Sequence, residues 1–406
     1  MTTVSDPAEE SFRLSQLIYD TRYRSITIQV VALMLFMAAF GWLLSNTIAN
    51  LNALGKPFEF GFLWDRAGYD INQRTIEYSS NSTHLRAAFV GLLNTLIIAV
   101  LGCILATIIG VIAGVLRLSN NWLTARIMAF YVESFRNIPV LLWIIAFFAI
   151  LTEATPAPRA FKGDAPSSSM LLGDTVAVTN RGTYIPRPVW EDGSAIVVIT
   201  FLLSLLGIWA FGRWSQRRFE ATGDLLPNFW IKLAIFVVPS VLMYFIMGRP
   251  IGLSYPSIET GFNFSGGLHI RNSLLALWLA LSFYTGSFIA ENVRAGILAI
   301  SKGQSEAAFA LGLRPGRTMN LVILPQALRV IIPPLISQYL NLTKNSSLAL
   351  AVGYMDLRST LGGITLNQTG RELECMLLLM MVYLIISLTI SGVMNLYNNS
   401  VKLKER

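Results

Sequence analysis

The feature that most restricts this chain is a series of long apolar stretches, each close to the roughly 20 helical residues needed to cross a hydrocarbon core. Eight stand out: residues 26–48, 88–116, 126–151, 195–212, 231–249, 271–293, 327–350 and 374–397. Backbone amides and carbonyls cannot be left unpaired in lipid, so runs of this length dictate helices rather than loops or open sheet. The expected fold class is an all-α membrane protein of about eight transmembrane helices. Pro333, Pro334 and several polar residues interrupt the seventh run, a break tolerated where a helix faces protein or an aqueous cavity.

Composition points the same way. Hydrophobic residues make up 54% of the 406 and charged ones 13%, with mean hydropathy +0.56, where soluble domains carry about 25% charge. The net charge of +8 does not indicate nucleic acid, because the bases form no stripe with interleaved aromatics. They sit at the ends of apolar runs, as the positive-inside bias requires. Placing the N-terminus in the cytoplasm puts Arg13, Arg22, Arg24, Arg117, Arg126, Arg213, Arg217, Arg218, Lys302, Arg314, Arg317, Lys402, Lys404 and Arg406 on that side. The opposite loops, 49–87 and 152–194, mix bases with Asp65, Asp70, Asp164, Glu191 and Asp192. Both termini are therefore expected in the cytoplasm.

The first 25 residues are polar, with Asp6, Glu9 and Glu10 among them, so no cleavable signal is expected and the first run stays as a span. Cys103 and Cys375 lie in apolar runs with no CxxC and no His nearby, and read as small buried hydrophobes. His84 and His269 each stand alone near a span end and read as interfacial residues. The aromatics, Trp42, Trp64, Trp143, Trp190 and Trp230 among them, fit interface belts. The loop 152–194, rich in Pro, Ser, Gly and charge, reads as exposed, with short strands around Val176 to Val178.

Between the sixth and seventh runs lies Gly303-Gln304-Ser305-Glu306-Ala307-Ala308-Phe309-Ala310-Leu311-Gly312-Leu313-Arg314-Pro315-Gly316. Ser305 is suited to cap a helix, Ala307, Ala308 and Ala310 give it a thin face, and Gly312 tolerates the positive φ that ends one. Arg314-Pro315-Gly316 then reverses the chain. A thin helix with a fixed exit fits a groove on a partner; the plain alternative is an ordinary loop helix.

These residues carry a resemblance. Glu306-Ala307-Ala308, the following Gly312 and Ile323-Leu324-Pro325 resemble the coupling-loop signature of ABC importer permeases. Tyr131 to Pro139, Tyr284 to Gly296, Ser301 to Gln304 and Leu324 to Ala327 resemble the polar amino acid branch of that family. The likeness covers about half the chain, roughly 86–151 and 271–397, and the layout resembles the larger, eight-span permease of broad-specificity L-amino acid importers.

The resemblance implies a type I ABC importer transmembrane fold in the bacterial inner membrane, translocating amino acids. It divides the chain into 1–87 (tail, first span and periplasmic loop), a permease domain 88–397 with 152–270 inserted, and a basic tail 398–406. It implies a coupling site at Gly303, Glu306, Ala307, Ala308, Gly312 and Pro325. The implied partners are an ATP-binding subunit dimer, a second permease making a heterodimer, a periplasmic amino acid binding protein and membrane lipid. ATP-Mg would sit on the ATPase and no cofactor on this chain, which has no phosphate loop: Gly55-Lys56 runs into Pro57. No Ser/His/Asp or Cys/His set comes together, so the chain is not expected to be an enzyme.

Two groups remain open between roles. Glu133 and Arg136, spaced i, i+3, pair on one helix face and either line the path or form a structural ion pair where Asn137-Ile138-Pro139 bends the helix. Gln338, Asn341, Thr343, Lys344, Asn345, Ser346 and Ser347 are the densest polar cluster in any span. Gln338, Asn341, Lys344 and Ser346 either meet substrate or hold a helix break together by side chain to backbone bonds. Glu291 and Arg294, also i, i+3, are expected to order the approach to the coupling loop. The alternative function is a secondary carrier driven by an ion gradient, which calls for mid-span charge and repeat symmetry and leaves the Glu306 loop idle. A membrane scaffold that binds without transporting is a third.

Overall fold

The computed structural model describes residues 16–163, 166–223, 227–258 and 262–401. Asp6, Glu9, Glu10, Arg13, Asp164, Lys402, Lys404, Arg406 and the side chain of Arg22 lie outside the described set.

After one turn, α1 (Gln16–Tyr19), come α2 (Thr21–Ala53), α3 (His84–Leu116), α4 (Trp122–Asn137) and α5 (Val140–Glu153). Three strands follow, β1 (Ala177–Thr179), β2 (Gly182–Ile185) and β3 (Arg187–Trp190), then α6 (Ser194–Thr222) and α7 (Asn228–Ile246). Strands β4 (Ile251–Ser254) and β5 (Leu268–Ile270) precede α8 (Asn272–Leu298), α9 (Lys302–Ala310), α10 (Pro315–Thr318) and α11 (Leu324–Asn345). The short α12 (Leu357–Ser359) and α13 (Leu366–Thr369) lead to α14 (Glu372–Val401). Among the described residues seven helices are long and apolar enough to cross a membrane, or eight if α4 and α5 count as one span.

That pair corrects the expected single span 126–151: α4 and α5 meet at 109°. The cause is local. Ile138 precedes a proline and is extended (φ −103°, ψ 133°), because the proline ring excludes the α conformation from the residue before it. Pro333 and Pro334 do the opposite of what was expected and stay inside α11, which runs on from Leu324 to Asn345. Both are exposed, so their rings point away from the packed side.

The centre of the bundle is α8. Leu277, Ala280, Leu281, Ile289 and Val293 from it meet Ile98 and Ala106 of α3, Ile144 of α5 and Ala327, Ile331 and Leu342 of α11. The closest seam is with α3: a Cβ on Gly110 would lie 2.5 Å from Ile289 Cβ, and one on Gly114 would lie 2.6 Å from the Ala290 carbonyl oxygen. By contrast, α6 and α7 pack chiefly on each other, α7 buries no residue, and no α2 residue with a described side chain is buried. Their apolar side chains face outward, as lipid-facing helices require.

Outside the bundle on the non-cytoplasmic side, β1, β2 and β5 form an antiparallel sheet, with Ala177 opposite Tyr184 and Thr183 opposite Ile270. A second ribbon pairs β3 with β4. Strand β1 falls where a strand was expected; the others were not expected. His269 is not a lone interfacial residue, for it stacks on Tyr184 at 4.3 Å and shares a hydrogen bond with the Arg181 carbonyl. Asn272 Nδ2 ties this layer to the bundle, donating to the carbonyls of Leu151 and Thr179.

Residues 346–371 fold back over the non-cytoplasmic end of α3. Tyr354 donates to the Asn94 carbonyl, Asn94 donates to the Met355 carbonyl and the Leu357 amide donates to Thr95. Asp356 caps α12, accepting from the amide and hydroxyl of Ser359. His84, expected at an interface, is instead buried under this segment with Nδ1 3.0 Å from Thr365 Oγ1. Cys375 is buried and Cys103 half-buried, both as free thiols.

The fold-back needs a bare α3 surface at Gly91, where a Cβ would collide with Thr360 Oγ1 and lie 2.8 Å from the Asp356 carbonyl. Gly91→Val is therefore expected to cost about 1–3 kcal/mol through overpacking, read as a lowered thermal midpoint in detergent. Gly41→Val, with nothing within 4 Å, should leave the midpoint within a degree or two of wild type.

Candidate functional site: a hook, an ion-pair hub and a polar stripe

Helix α9 hangs below the bundle between α8 and α10. It starts at Lys302 rather than at Ser305, because Ser301 is already extended (φ −61°, ψ 142°) and takes the N-cap position, with no side-chain cap bond. Ser305 lies inside the helix. Its far end is a paired-carbonyl stop of the Schellman kind: the Leu313 amide donates to the Ala308 carbonyl and the Gly312 amide to the Phe309 carbonyl. Gly312 has φ +74°, a conformation that a Cβ penalises. Arg314-Pro315-Gly316 is not a reversing turn. Arg314 is extended and Pro315 opens α10, where a missing N–H costs nothing.

The side chains of α9 divide cleanly. Ala308 is buried against the bundle, whereas Gly303, Glu306 and Ala307 are exposed, together with Phe309 and Leu311 at 50% and 82%. Pro325, at the start of α11, is half-buried. Gln326 joins the two elements through the Gln304 side chain at 3.3 Å. The result is a slim projecting helix with an apolar tip beside one carboxylate.

Just above it the cytoplasmic ends of α3, α4 and α8 are held by charge. Glu291 accepts from Arg294 one turn on at 2.8 Å, bonds Arg117 at the end of α3, and lies 4.0 Å from Arg136 of α4. Arg117 in turn lies 3.9 Å from Glu133. The expected Glu133–Arg136 pair does not form: both reach across to other helices, because α4 presents this face to the hub. Arg117 and Glu291 are the shielded members, with side chains 13% and 25% exposed, against 59% for Glu133. Arg117 had looked like one more positive-inside residue; only its tertiary partner distinguishes it.

On α11 the polar cluster splits. Thr343 and Ser346 are buried and spend their hydroxyls on the Tyr339 and Thr343 carbonyls, closing the helix where it tightens into a 3₁₀ segment at Ser346–Val352. Asn341 and Lys344 are exposed and Gln338 half-buried. Val330, Pro333, Pro334, Ser337, Asn341 and Lys344 are all exposed at i, i+3, i+4, i+7, i+11 and i+14, a single face of the helix. No cluster of three metal-ligating side chains occurs among the described residues.

Residues 204–403 match the family model for the inner membrane component of binding-protein-dependent transport systems. Along its whole length the chain is 58% identical to the glutamate/glutamine/aspartate/asparagine transport system permease protein BztB of Rhodobacter capsulatus, over 100% of each chain. The chain belongs to this permease family. It is also 43% identical to the general L-amino acid transport system permease protein AapQ of Rhizobium johnstonii, covering 98% of this chain and 96% of that one. A solved amino acid ABC transporter aligns at 17% identity with a TM-score of 0.45, over 78% of this chain and 95% of that one, a likeness too loose to add to the fold.

Family membership decides among the transport readings. The chain is a multi-pass inner-membrane permease of an ABC amino acid importer, a transport component rather than an enzyme. Its relatives' family works with binding proteins, and the ion-gradient carrier reading falls.

The hub gives a graded expectation. Glu291→Ala leaves three guanidinium groups without their shared anion and should lower stability by about 2 kcal/mol, between the ranges for exposed and buried pairs. Glu133→Ala, mostly in solvent, should cost less than about 0.5 kcal/mol. A double-mutant cycle of Arg117→Ala with Glu291→Ala, read by denaturant or thermal unfolding in detergent, should return a coupling well above that for Arg117 with Glu133.

Proposed function

We propose that α9 is the element through which a separate ATPase drives this permease, docking into a cleft on an ATP-binding subunit dimer that holds ATP-Mg. The observation that carries this reading is the exposed, thin α9 with Glu306, Phe309 and Leu311 outward and its exit angle set by Gly312. Phe309 and Leu311 anchor in an apolar groove while Glu306 meets a base of the partner. Motion of α9 passes to α8 directly and to α3 and α4 through Glu291, a rigid-body route between inward-open and outward-open states.

The exposed face of α11 lines the translocation path, with Asn341, Lys344 and Gln338 towards a second permease subunit, and the partnership is a heterodimer. Glu133 and Arg136 act at the inner mouth as part of the hub, and Ser346 acts from behind the wall. The permease proper is 88–397, with 152–270 an insertion that adds the strand layer and the α6–α7 hairpin; outward faces of α2 and α7 meet lipid. A periplasmic binding protein delivers the cargo. BztB is described as a permease for glutamate, glutamine, aspartate and asparagine and AapQ as one for general L-amino acids, which supports polar L-amino acids as cargo.

Copurification tests the coupling. Glu306→Lys with Gly312→Val should reduce recovery of the ATPase subunits at least tenfold and abolish ATP-dependent uptake, while the variant still inserts in the membrane. Full association and uptake in the double variant would remove the proposal. For the path, a cysteine at Asn341 should react with a membrane-impermeant thiol reagent and be protected during turnover, whereas one at Thr343 should stay unreactive.

A further inference from the structure

At the non-cytoplasmic end of α11 a recess of about 440 Å³ is lined by Leu350, Arg358, Gly362, Gly363, Asn367 and Met376 among others. Arg358 is half-buried there. Its Nη1 donates to the Gly362 carbonyl at 2.8 Å, and no carboxylate lies within 4.0 Å of it among the described residues. A guanidinium has five N–H donors in a planar fork, so one bond to a neutral carbonyl leaves the charge uncompensated beside Leu350, Ile364, Leu366 and Met376. Apolar walls strengthen whatever anion it meets.

Two further observations point to a ligand. The wall is a π-helical turn, Thr360–Thr365, a rare form enriched at functional sites. It carries Gly362-Gly363, where a Cβ on Gly362 would crowd Leu379 Cδ2 at 3.0 Å and would meet Arg358 Cδ at an ordinary 3.4 Å, so the arginine packs directly along this backbone. Asn367 donates Nδ2 to the Gly363 carbonyl at 2.8 Å, which fixes the amide orientation and leaves Oδ1 as a free acceptor on an exposed side chain.

We infer that this recess is a substrate subsite at the outer end of the path, in which Arg358 binds the α-carboxylate of an incoming amino acid and Asn367 Oδ1 accepts from its ammonium. The inference rests on the amino acid permease reading and adds a site to it. A carboxylate in bidentate contact with Arg358 supplies the missing countercharge. The side chain of the cargo then leaves past the exposed Leu350 and Met376 towards solvent, so both glutamate and glutamine keep their polar ends hydrated.

The test is equilibrium binding of radiolabelled L-glutamine to the permease complex with its ATPase in lipid nanodiscs, without the binding protein. Saturable binding is expected, displaced by L-glutamate and not by glutaminamide, which has no carboxylate. Arg358→Gln should weaken it at least tenfold and Arg358→Lys less. Asn367→Leu, on an exposed position, removes the acceptor for the ammonium and should also weaken it severalfold, and serves if Arg358→Gln does not assemble. Displacement by glutaminamide as strong as by glutamate, or unchanged binding in both Arg358→Gln and Asn367→Leu, would overturn the site. So would a wild-type complex that transports L-glutamine with its binding protein yet binds none without it; a complex that transports no amino acid would instead overturn the permease reading.

Discussion

The close seam between α3 and α8 is the constraint on which the rest of the structure depends. Inside a bilayer, helices gain little from burying apolar surface, since lipid is as apolar as leucine, and association rests on close packing. Gly110 and Gly114 let α3 approach the Ile289 to Val293 stretch of α8 until backbone meets side chain, and Gly286 returns the favour, with its would-be Cβ 3.3 Å from the Ala106 carbonyl. One turn beyond Gly114 the same approach brings Arg117 against Glu291. The ion pair is thus a consequence of the glycine seam, placed where charge can be shielded without being carried into the hydrocarbon.

From that point the architecture separates what moves from what holds. Helix α8 is gripped along its length by α3, α5 and α11, and about two turns before its end Glu291 is held by Arg117 and Arg136 from outside and by Arg294 of α8 itself. The next segment, α9, buries Ala308 and is joined to α11 by the Gln304–Gln326 bond. At the opposite end, the 346–371 segment is fastened to α3 by backbone-directed bonds from Asn94, Thr95 and Tyr354, so its buried polar groups stay paired where water is scarce.

Polar residues in this bundle fall into two populations that look alike in the linear chain. Thr343, Ser346 and Asn94 satisfy backbone groups inside the fold. Asn341 and Lys344 are exposed on the surface of the single chain, and Arg358, with one bond to the Gly362 carbonyl, lines a recess. In a membrane protein that difference carries functional weight, because an ionisable side chain left without a partner faces either water or cargo.

Much was legible from residues alone. Apolar run length determined where helices lie, and the alternation of basic and mixed loops determined which side each end occupies, since both follow from transfer free energies local to each segment. Gly312 announced the end of α9 because only its own φ was at stake. The tertiary structure decided what depended on partners distant in sequence: strand β5 pairing with β2, His84 buried under Thr365, Glu133 and Arg136 drawn apart by Arg117 and Glu291, and a 109° corner where a straight span was expected. Hydropathy reports what each segment pays to leave water; it carries no record of which neighbour a polar group will meet once the helices have packed.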